Sequence, residues 1–270
     1  MCLLYPKMSE QNQNKKQPRK PRASAKQLQR FMFDDPSIME IGIDEAGRGP
    51  MFGRVYAAAV ILPKISTDTD GINDVFPHEL MKDSKKFTSA KKLAEVAQII
   101  MEKSIAYSVK YAENTEIDAM NPLKATMKIM NDCVSEILDK MSIDNGSGLN
   151  FEHNYHLLVD GSYFRPRVRM SKDGRKPGTT PYTCVTSGDD TFTSIAAASI
   201  LAKYHRDAYI DQMCDEHEGL DDIYGLRKHK GYGTKQHLDA IKQYGITKWH
   251  RRTFGICKDA PLIEFEVEDE

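Results

Sequence analysis

Met39–Asp44, apolar at Met39, Ile41 and Ile43, and the apolar run Val55–Leu62 are separated by a glycine-rich turn, a pattern that predicts two strands joined as a hairpin. Ile105, Tyr107, Val109 and Tyr111 alternate within Ser104–Ala112, the two-residue period of a third strand. Between them, Leu93, Val96, Ala97, Ile100 and Met101 recur at helical spacing and fit one helix face. Asn121-Pro122 makes a cap and first-turn pair. It opens a helix with Leu123, Met127, Met130, Val134, Ile137, Leu138 and Met141 on one side. His156–Asp160 reads as a short buried strand, and Thr183–Thr186 as another after a Lys/Gly/Pro hairpin at 171–178. Asn145–Asn154 reads as a polar loop. Thr193–His217 reads as mostly helical, and Thr234–Tyr244 as a helix capped by Thr234. Strands interleaved with helices in this order predict an α/β domain, a mixed sheet covered by helices.

The first 35 residues show no apolar period and are rich in Gln, Asn, Lys, Arg, Ser and Pro, so a disordered arm is expected, with order beginning at Ile38. The arm has no apolar stretch of the kind a secretory signal needs. The longest apolar runs, Val55–Leu62 and Ile195–Ala202 (the second broken by Ser199), fall far short of the ~20 residues of a membrane span. A globular chain in the cytoplasm is therefore expected. Five scattered cysteines with no ligand-like spacing agree with reduced thiols rather than a disulfide frame or zinc site.

The net charge of −1 hides a segregated distribution. Residues 1–33 carry eight Lys/Arg and one Glu, residues 227–252 carry eight Lys/Arg and three His, and residues 259–270 carry six acids. The basic N-terminal arm and the basic stretch that precedes the acidic end suit a polyanionic partner.

Three apolar strands end in carboxylates. Ile41-Gly-Ile-Asp-Glu45 runs into Gly47-Arg-Gly49; strand alternation puts Gly42 and Asp44 on one face, with Gly42 leaving space beside the Asp44 carboxylate. Glu45 joins the same site only if the strand ends there. Asp160-Gly161 closes the fourth strand and Ser187-Gly-Asp189-Asp190 follows the fifth. Each acid alone fits ordinary turn chemistry. Together, at one sheet edge, they suggest a cluster whose mutual repulsion a divalent cation would relieve. Oxygen donors select Mg²⁺ or Mn²⁺. Lys203 and Asp207 stand four apart as an ordinary helix pair, and His153 and His156 read as satisfied histidines rather than ligands. Tyr224–Gly233 interleaves bases, glycines and aromatics, which suits either a solvated loop or contact with nucleic acid.

Six segments, in order, resemble ribonuclease HII: Ile43–Pro50, Lys82–Lys86, Val159–Gly161, Ala197–Lys203 with Arg206-Asp207, His229–Tyr232 and His250–Phe254. The resemblance implies a ribonuclease H-like catalytic domain over 36–218, a C-terminal helical substrate-binding extension over 219–258, and an acidic tail over 259–270. It implies a monomeric endonuclease that cuts the RNA strand of RNA–DNA hybrids and cuts at ribonucleotides embedded in duplex DNA. Asp44, Glu45, Asp160 and Asp189 are the acids it assigns to two Mg²⁺ or Mn²⁺ ions. Gly47, Arg48 and Gly49 would meet the ribose 2′-OH, Tyr232 would pack on that sugar, and Lys85 would hold a phosphate. Another nuclease of the same fold, such as a resolvase, and an inactive hybrid-binding protein are the competing readings. Asp190 doubles the last acid; Asp189 is expected to bind metal because Gly188 can turn the chain at positive φ, leaving Asp190 to cap the following helix.

Overall fold

The computed structural model describes residues 27–64, 76–144, 154–170 and 177–264. The first 26 residues of the arm, most of the 145–154 loop, the tip of the 171–178 hairpin and the last six residues of the acidic tail lie outside the described residues.

Five strands form one sheet: β1 (Met39–Ala46), β2 (Val55–Ile61), β3 (Ala106–Ala112), β4 (Tyr155–Asp160) and, after a small ladder of β5 (Arg169–Met170) with β6 (Pro177–Gly178), β7 (Tyr182–Val185). The spatial order is β3-β2-β1-β4-β7. β1, β2 and β3 pair antiparallel, whereas β4 lies parallel to β1 and β7 parallel to β4. This is the mixed sheet expected from the sequence. Helices cover both faces: α1 (Ala90–Lys103) and α4 (Thr193–Glu216) on one, α3 (Pro122–Asp144) on the other, with the short α2 (Asn114–Met120) beside α3.

The alternation of β2 shows why its sequence reads as a continuous apolar run. Val55, Ala57, Ala59 and Ile61 join the α3 core, while Ala58, Val60 and Leu62 join the α1/α4 core. A strand buried on both faces has no polar side to show. Leu123, assigned to the buried side of α3, is 44% exposed; the helix instead buries Ala125, Ile129 and Cys133.

Helix α4 crosses the sheet at short range. Its first ten residues are all buried, and most are Ala, Ser or Thr. A Cβ on Gly42 would stand 2.2 Å from the Ser194 carbonyl carbon. The bare Cα of Gly42 therefore admits helix backbone; it does not leave room for the Asp44 carboxylate, which corrects that expectation.

Order also begins earlier than Ile38. Leu28 is buried, Gln29 N–H donates to Thr191 O (2.8 Å), and Thr193 N–H donates to Gln29 O (2.9 Å). The Glu40 carboxylate accepts from Met32 N (3.0 Å) and Phe33 N (2.8 Å). Residues 28–33 thus belong to the folded domain, and the boundary of the arm at 35 is corrected toward the N-terminus.

The C-terminal extension comprises α5 (Leu220–Tyr224), α6 (Leu226–His229) and α7 (Lys235–Tyr244). Thr234 Oγ1 accepts from His237 N at 3.4 Å, the expected cap. Phe52, Tyr56, Tyr209, Ile210, Tyr224, Ile241 and Ile246 share one core, so the extension is locked onto the turn after β1 and the end of α4. His237 and His250 lie fully buried there. Burial pushes them down to about 4 and about 3, respectively. Each is neutral in the fold and takes a proton more readily once unfolded, so its contribution is complete above about pH 6.5 and lost as pH falls toward the folded value. Burial raises the carboxyls of Asp44, Glu45 and Asp189, which has the opposite effect on stability as pH falls, so the histidine contribution is read as a difference. Urea midpoints followed by Trp249 fluorescence should fall less steeply between pH 6.5 and 4 in His237→Asn than in the wild type. Equal slopes would show that His237 already carries a proton in the fold.

Candidate active site

The β1–β4 register ends at Ile43↔Val159, while β1 stays paired with β2 through Ala46. Asp44 and Glu45 therefore sit where β1 outruns β4, on an edge left open. This corrects the condition set for Glu45: the strand continues past it, yet Glu45 lines the same cleft as Asp44 and Asp160. The cleft holds about 650 Å³. The Gly47–Gly49 turn, Lys85, Lys203, Arg206, Asp207 and Tyr232 complete its working surface.

Asp44 is 5% exposed and accepts from Glu45 N at 2.7 Å. Burial, then the charges of Glu45 and Asp160, hold its carboxyl well above the usual range; Ser199 works weakly against this by donating to it. Glu45 is raised by burial, with Arg48 opposing through an ion pair of 3.2 Å. Asp160 Oδ1 accepts from Gly188 N at 2.7 Å, which ties the end of β4 to the turn carrying Asp189. Asp189 is buried and raised by that burial, with Lys85 opposing it from 3.6 Å. Burial works against the Lys85 ammonium, but Asp189, Asp83 and Asp44 outweigh it and raise its pKa.

The turn after β7 differs from expectation. Ser187, not Gly188, takes the left-handed conformation (φ 54°). Gly188 is favoured by space: a Cβ there would stand 2.6 Å from Ile195 Cδ1 and 3.2 Å from Asp160 Oδ1, side-chain ends that would have to shift. Asp190 points to the surface and pairs with Lys86 at 2.5 Å, while the N-cap position of α4 is Phe192. The cap expected from Asp190 is replaced by that ion pair. Asp189 faces inward, Asp190 outward.

Lys203 and Asp207 form their helix pair at 2.7 Å, as read, but they also face the cleft. His156 Nε2 meets Thr183 Oγ1 at 2.8 Å, a satisfied histidine; His153 lies outside the described residues. Three residues to which the sequence assigns no role also stand here: Ser84 and Ser199, whose hydroxyls meet at 2.9 Å beside Asp44, and Arg206, buried beneath Gly47. Only the Ala-Ala-Ser-Ile run marked Ser199, as one polar position on a helix buried all round. Tyr232 is 49% exposed, and its ring edge is the nearest neighbour, at 3.7 Å, of a Cβ placed on Gly49. An exposed ring thus stands beside a turn without side chains at Gly47 and Gly49.

Among the described residues, no three acids, histidines or cysteines converge as a preformed metal cage. The donor set still fits Mg²⁺ or Mn²⁺, which commonly take one or two carboxylates and complete their shells with water and substrate phosphate. Carboxylates destabilised by burial, and then by one another, are the groups such an ion would relieve.

A β3-β2-β1-β4-β7 sheet with acids gathered at the ends of β1 and β4 defines a hydrolase with the ribonuclease H-like fold. The family model described as Ribonuclease HII matches residues 41–257, and the chain belongs to that family. It is 37% identical to a ribonuclease HII of Bacteroides thetaiotaomicron over 225 residues, which cover 83% of this chain and 94% of the relative. The ribonuclease HII in a PCNA complex from Archaeoglobus fulgidus superposes with a TM-score of 0.54 at 21% identity, over 81% of this chain and 96% of that one. Bst-RNase HIII in complex with Mn²⁺ gives 0.52 at 18% identity, over 77% and 70%. At these identities the two structures speak to the fold. No helix among the described residues is long and apolar enough to cross a membrane.

Proposed function

We propose that the protein is a monomeric endonuclease of the cytoplasm that cuts the RNA strand of RNA–DNA hybrids. It also incises duplex DNA at embedded ribonucleotides, leaving 5′-phosphate and 3′-hydroxyl ends, a chemistry suited to replication and ribonucleotide repair. The observation that carries this reading is one cleft lined by Asp44, Glu45 and Asp160 and by an exposed Tyr232 beside Gly49, with Asp189 reaching its edge through Lys85. A nuclease blind to the sugar needs the first and not the second.

Asp44, Glu45, Asp160 and Asp189 would hold two divalent ions, Mg²⁺ or Mn²⁺. Such ions supply charge stabilisation at the phosphate and at the attacking and leaving oxygens. The chain's own groups do the rest. Lys85 meets a phosphate oxygen. The Gly47-Arg48-Gly49 turn brings its backbone close to the 2′-OH, the group that separates RNA from DNA. The Tyr232 ring packs on the same sugar.

The test uses Mg²⁺ or Mn²⁺ with three duplexes: a hybrid, DNA carrying one ribonucleotide, and all-DNA. Cutting of the first two alone supports the reading. Equal cutting of all three points to a resolvase-like nuclease, and binding without cutting to an inactive hybrid-binding protein.

The seven Lys/Arg of residues 1–26 add sequence-independent attraction to phosphate. Deleting residues 1–26 is expected to weaken duplex binding and to flatten the salt dependence by about 0.9 in log–log slope for each phosphate the arm neutralises. The cut position should stay the same. An unchanged slope would show that the arm does not touch the duplex.

A further inference from the structure

Arg251 is fully buried, and its guanidinium is spent on backbone carbonyls. Nε donates to Gly53 O (2.9 Å), one terminal nitrogen to Arg48 O (2.9 Å), and the other to Gly47 O (2.7 Å) and Arg54 O (3.0 Å). Two of these four acceptors belong to the Gly-Arg-Gly turn, and the planar fork of an arginine reaches them all at once. The backbone adds to the grip: Gly53 N–H donates to Trp249 O, and Arg251 N–H to Met51 O. Met51 N–H in turn donates to Gly231 O, beside Tyr232.

The preceding residue reaches the other half of the cleft. Thr247 N–H (3.0 Å) and Thr247 Oγ1 (2.9 Å) both meet His250 Nδ1; the hydroxyl can take either role but the backbone N–H can only donate, so that nitrogen accepts and the neutral ring carries its hydrogen on Nε2. His250 Nε2 meets His237 Nε2 at 3.1 Å, and His250 must be the donor. The remaining hydrogen of His237 is then on Nδ1, where it donates to Tyr232 O at 3.0 Å. One tautomer of each ring satisfies every hydrogen bond in this relay.

We propose that His250 and Arg251 are positioning residues for the selection of the ribonucleotide: Arg251 fixes the Gly47–Gly49 turn, and His250, through His237, fixes Tyr232. The inference rests on the function proposed above. Two neighbouring residues of the extension thereby hold both elements assigned to the sugar at one spacing. A bare fold-stabilising role would lower stability and leave turnover per folded molecule intact.

The experiment uses the full-length protein, with His237→Gln and Arg251→Lys made alone and in a Tyr232→Ala background. Folding is checked by melting, and kinetics use a duplex with one ribonucleotide in Mn²⁺. His237→Gln moves the amide donor away from the Tyr232 carbonyl, and Arg251→Lys keeps the charge but loses the fork. Each single variant is expected to lower kcat about 100-fold, the scale of a misplacement near 1 Å, with KM close to the wild type. In the Tyr232→Ala background the further loss should shrink to about threefold or less, because groups acting as one unit are not additive. Equal losses in both backgrounds, or wild-type kcat in a folded variant, would overturn the proposal. ¹⁵N spectra of the imidazoles in wild-type protein give a readout free of substrate and of variant folding. Hydrogen on His250 Nε2 and His237 Nδ1 is expected, and the opposite tautomers would overturn the relay. Failure of the wild type to cut would sink the proposed function instead, and would leave the tautomers unchanged.

Discussion

Asp44→Asn is expected to abolish cutting of an RNA–DNA hybrid while leaving its binding in place. The acid sits on the open edge of β1, nearly buried, between Glu45 and Asp160. An amide there keeps the shape and loses the negative charge that a divalent cation requires. The loss should be about a thousandfold or more, because a metal ion supplies several kcal/mol of transition-state stabilisation and each ~1.4 kcal/mol is tenfold. Binding persists because the basic segments that meet phosphate do not involve this acid. The same substitution should raise the melting temperature of the metal-free protein, since it removes one of several like charges buried together. Wild-type turnover in the variant, measured with melting temperature and hybrid affinity side by side, would remove Asp44 from the site.

The second large effect separates two neighbours. Asp189→Asn should cut the rate by about a hundredfold or more, on the scale of lost electrostatic stabilisation in a water-poor site. It should also raise the metal concentration needed for half-maximal activity. Asp190→Asn should leave the rate nearly intact. It loses an ion pair with Lys86 in which both side chains are about half exposed, and such pairs contribute ~0–1 kcal/mol. Metal titrations of both variants on one substrate decide the matter. An inactive Asp190→Asn beside an active Asp189→Asn would mean that the inward-facing carboxylate is not the one used.

Much of the fold was legible because most strands and helices carry a run or a period of apolar residues. The β2 run is apolar on both faces. The period of β3 gave the strand but not its buried side, since Ser108 and Ala112 are buried while Ile105 and Tyr111 stay about half exposed. Helix α2 escaped because its seven residues include only two large apolar side chains, Ile117 and Met120. Leu28–Phe33 escaped for a different reason. It is held by backbone bonds to Thr191 and Thr193 and by the Glu40 carboxylate, none of which leaves a period in the strap itself.

The acids of the site could be read because they lie at or just beyond the ends of apolar strands, beside glycine-containing turns: Asp44 and Glu45 before Gly47, Asp160 before Gly161, and Asp189 after Gly188. The reasons for the glycines could not. Gly42 is bare because the backbone of Ser194 in α4, more than 150 positions away, comes too close for a Cβ, and Gly188 is crowded by the side chain of Ile195, seven positions on. The left-handed residue is a serine, which no turn rule would choose first. Arg251 looked like one more surface cation among eight. Only the folded chain shows its guanidinium under the Gly-Arg-Gly turn.

The central claim is that this cleft recognises a ribose within duplex DNA and breaks the backbone there. It is tested most directly by mass spectrometry of the fragments from a DNA duplex with one ribonucleotide, incubated with Mn²⁺ beside an all-DNA control and Asp44→Asn protein. The expected result is a single break at the ribonucleotide, with 5′-phosphate and 3′-hydroxyl ends, and none in either control. Breaks spread along the all-DNA duplex, or a 2′,3′-cyclic phosphate at the ribonucleotide, would contradict it.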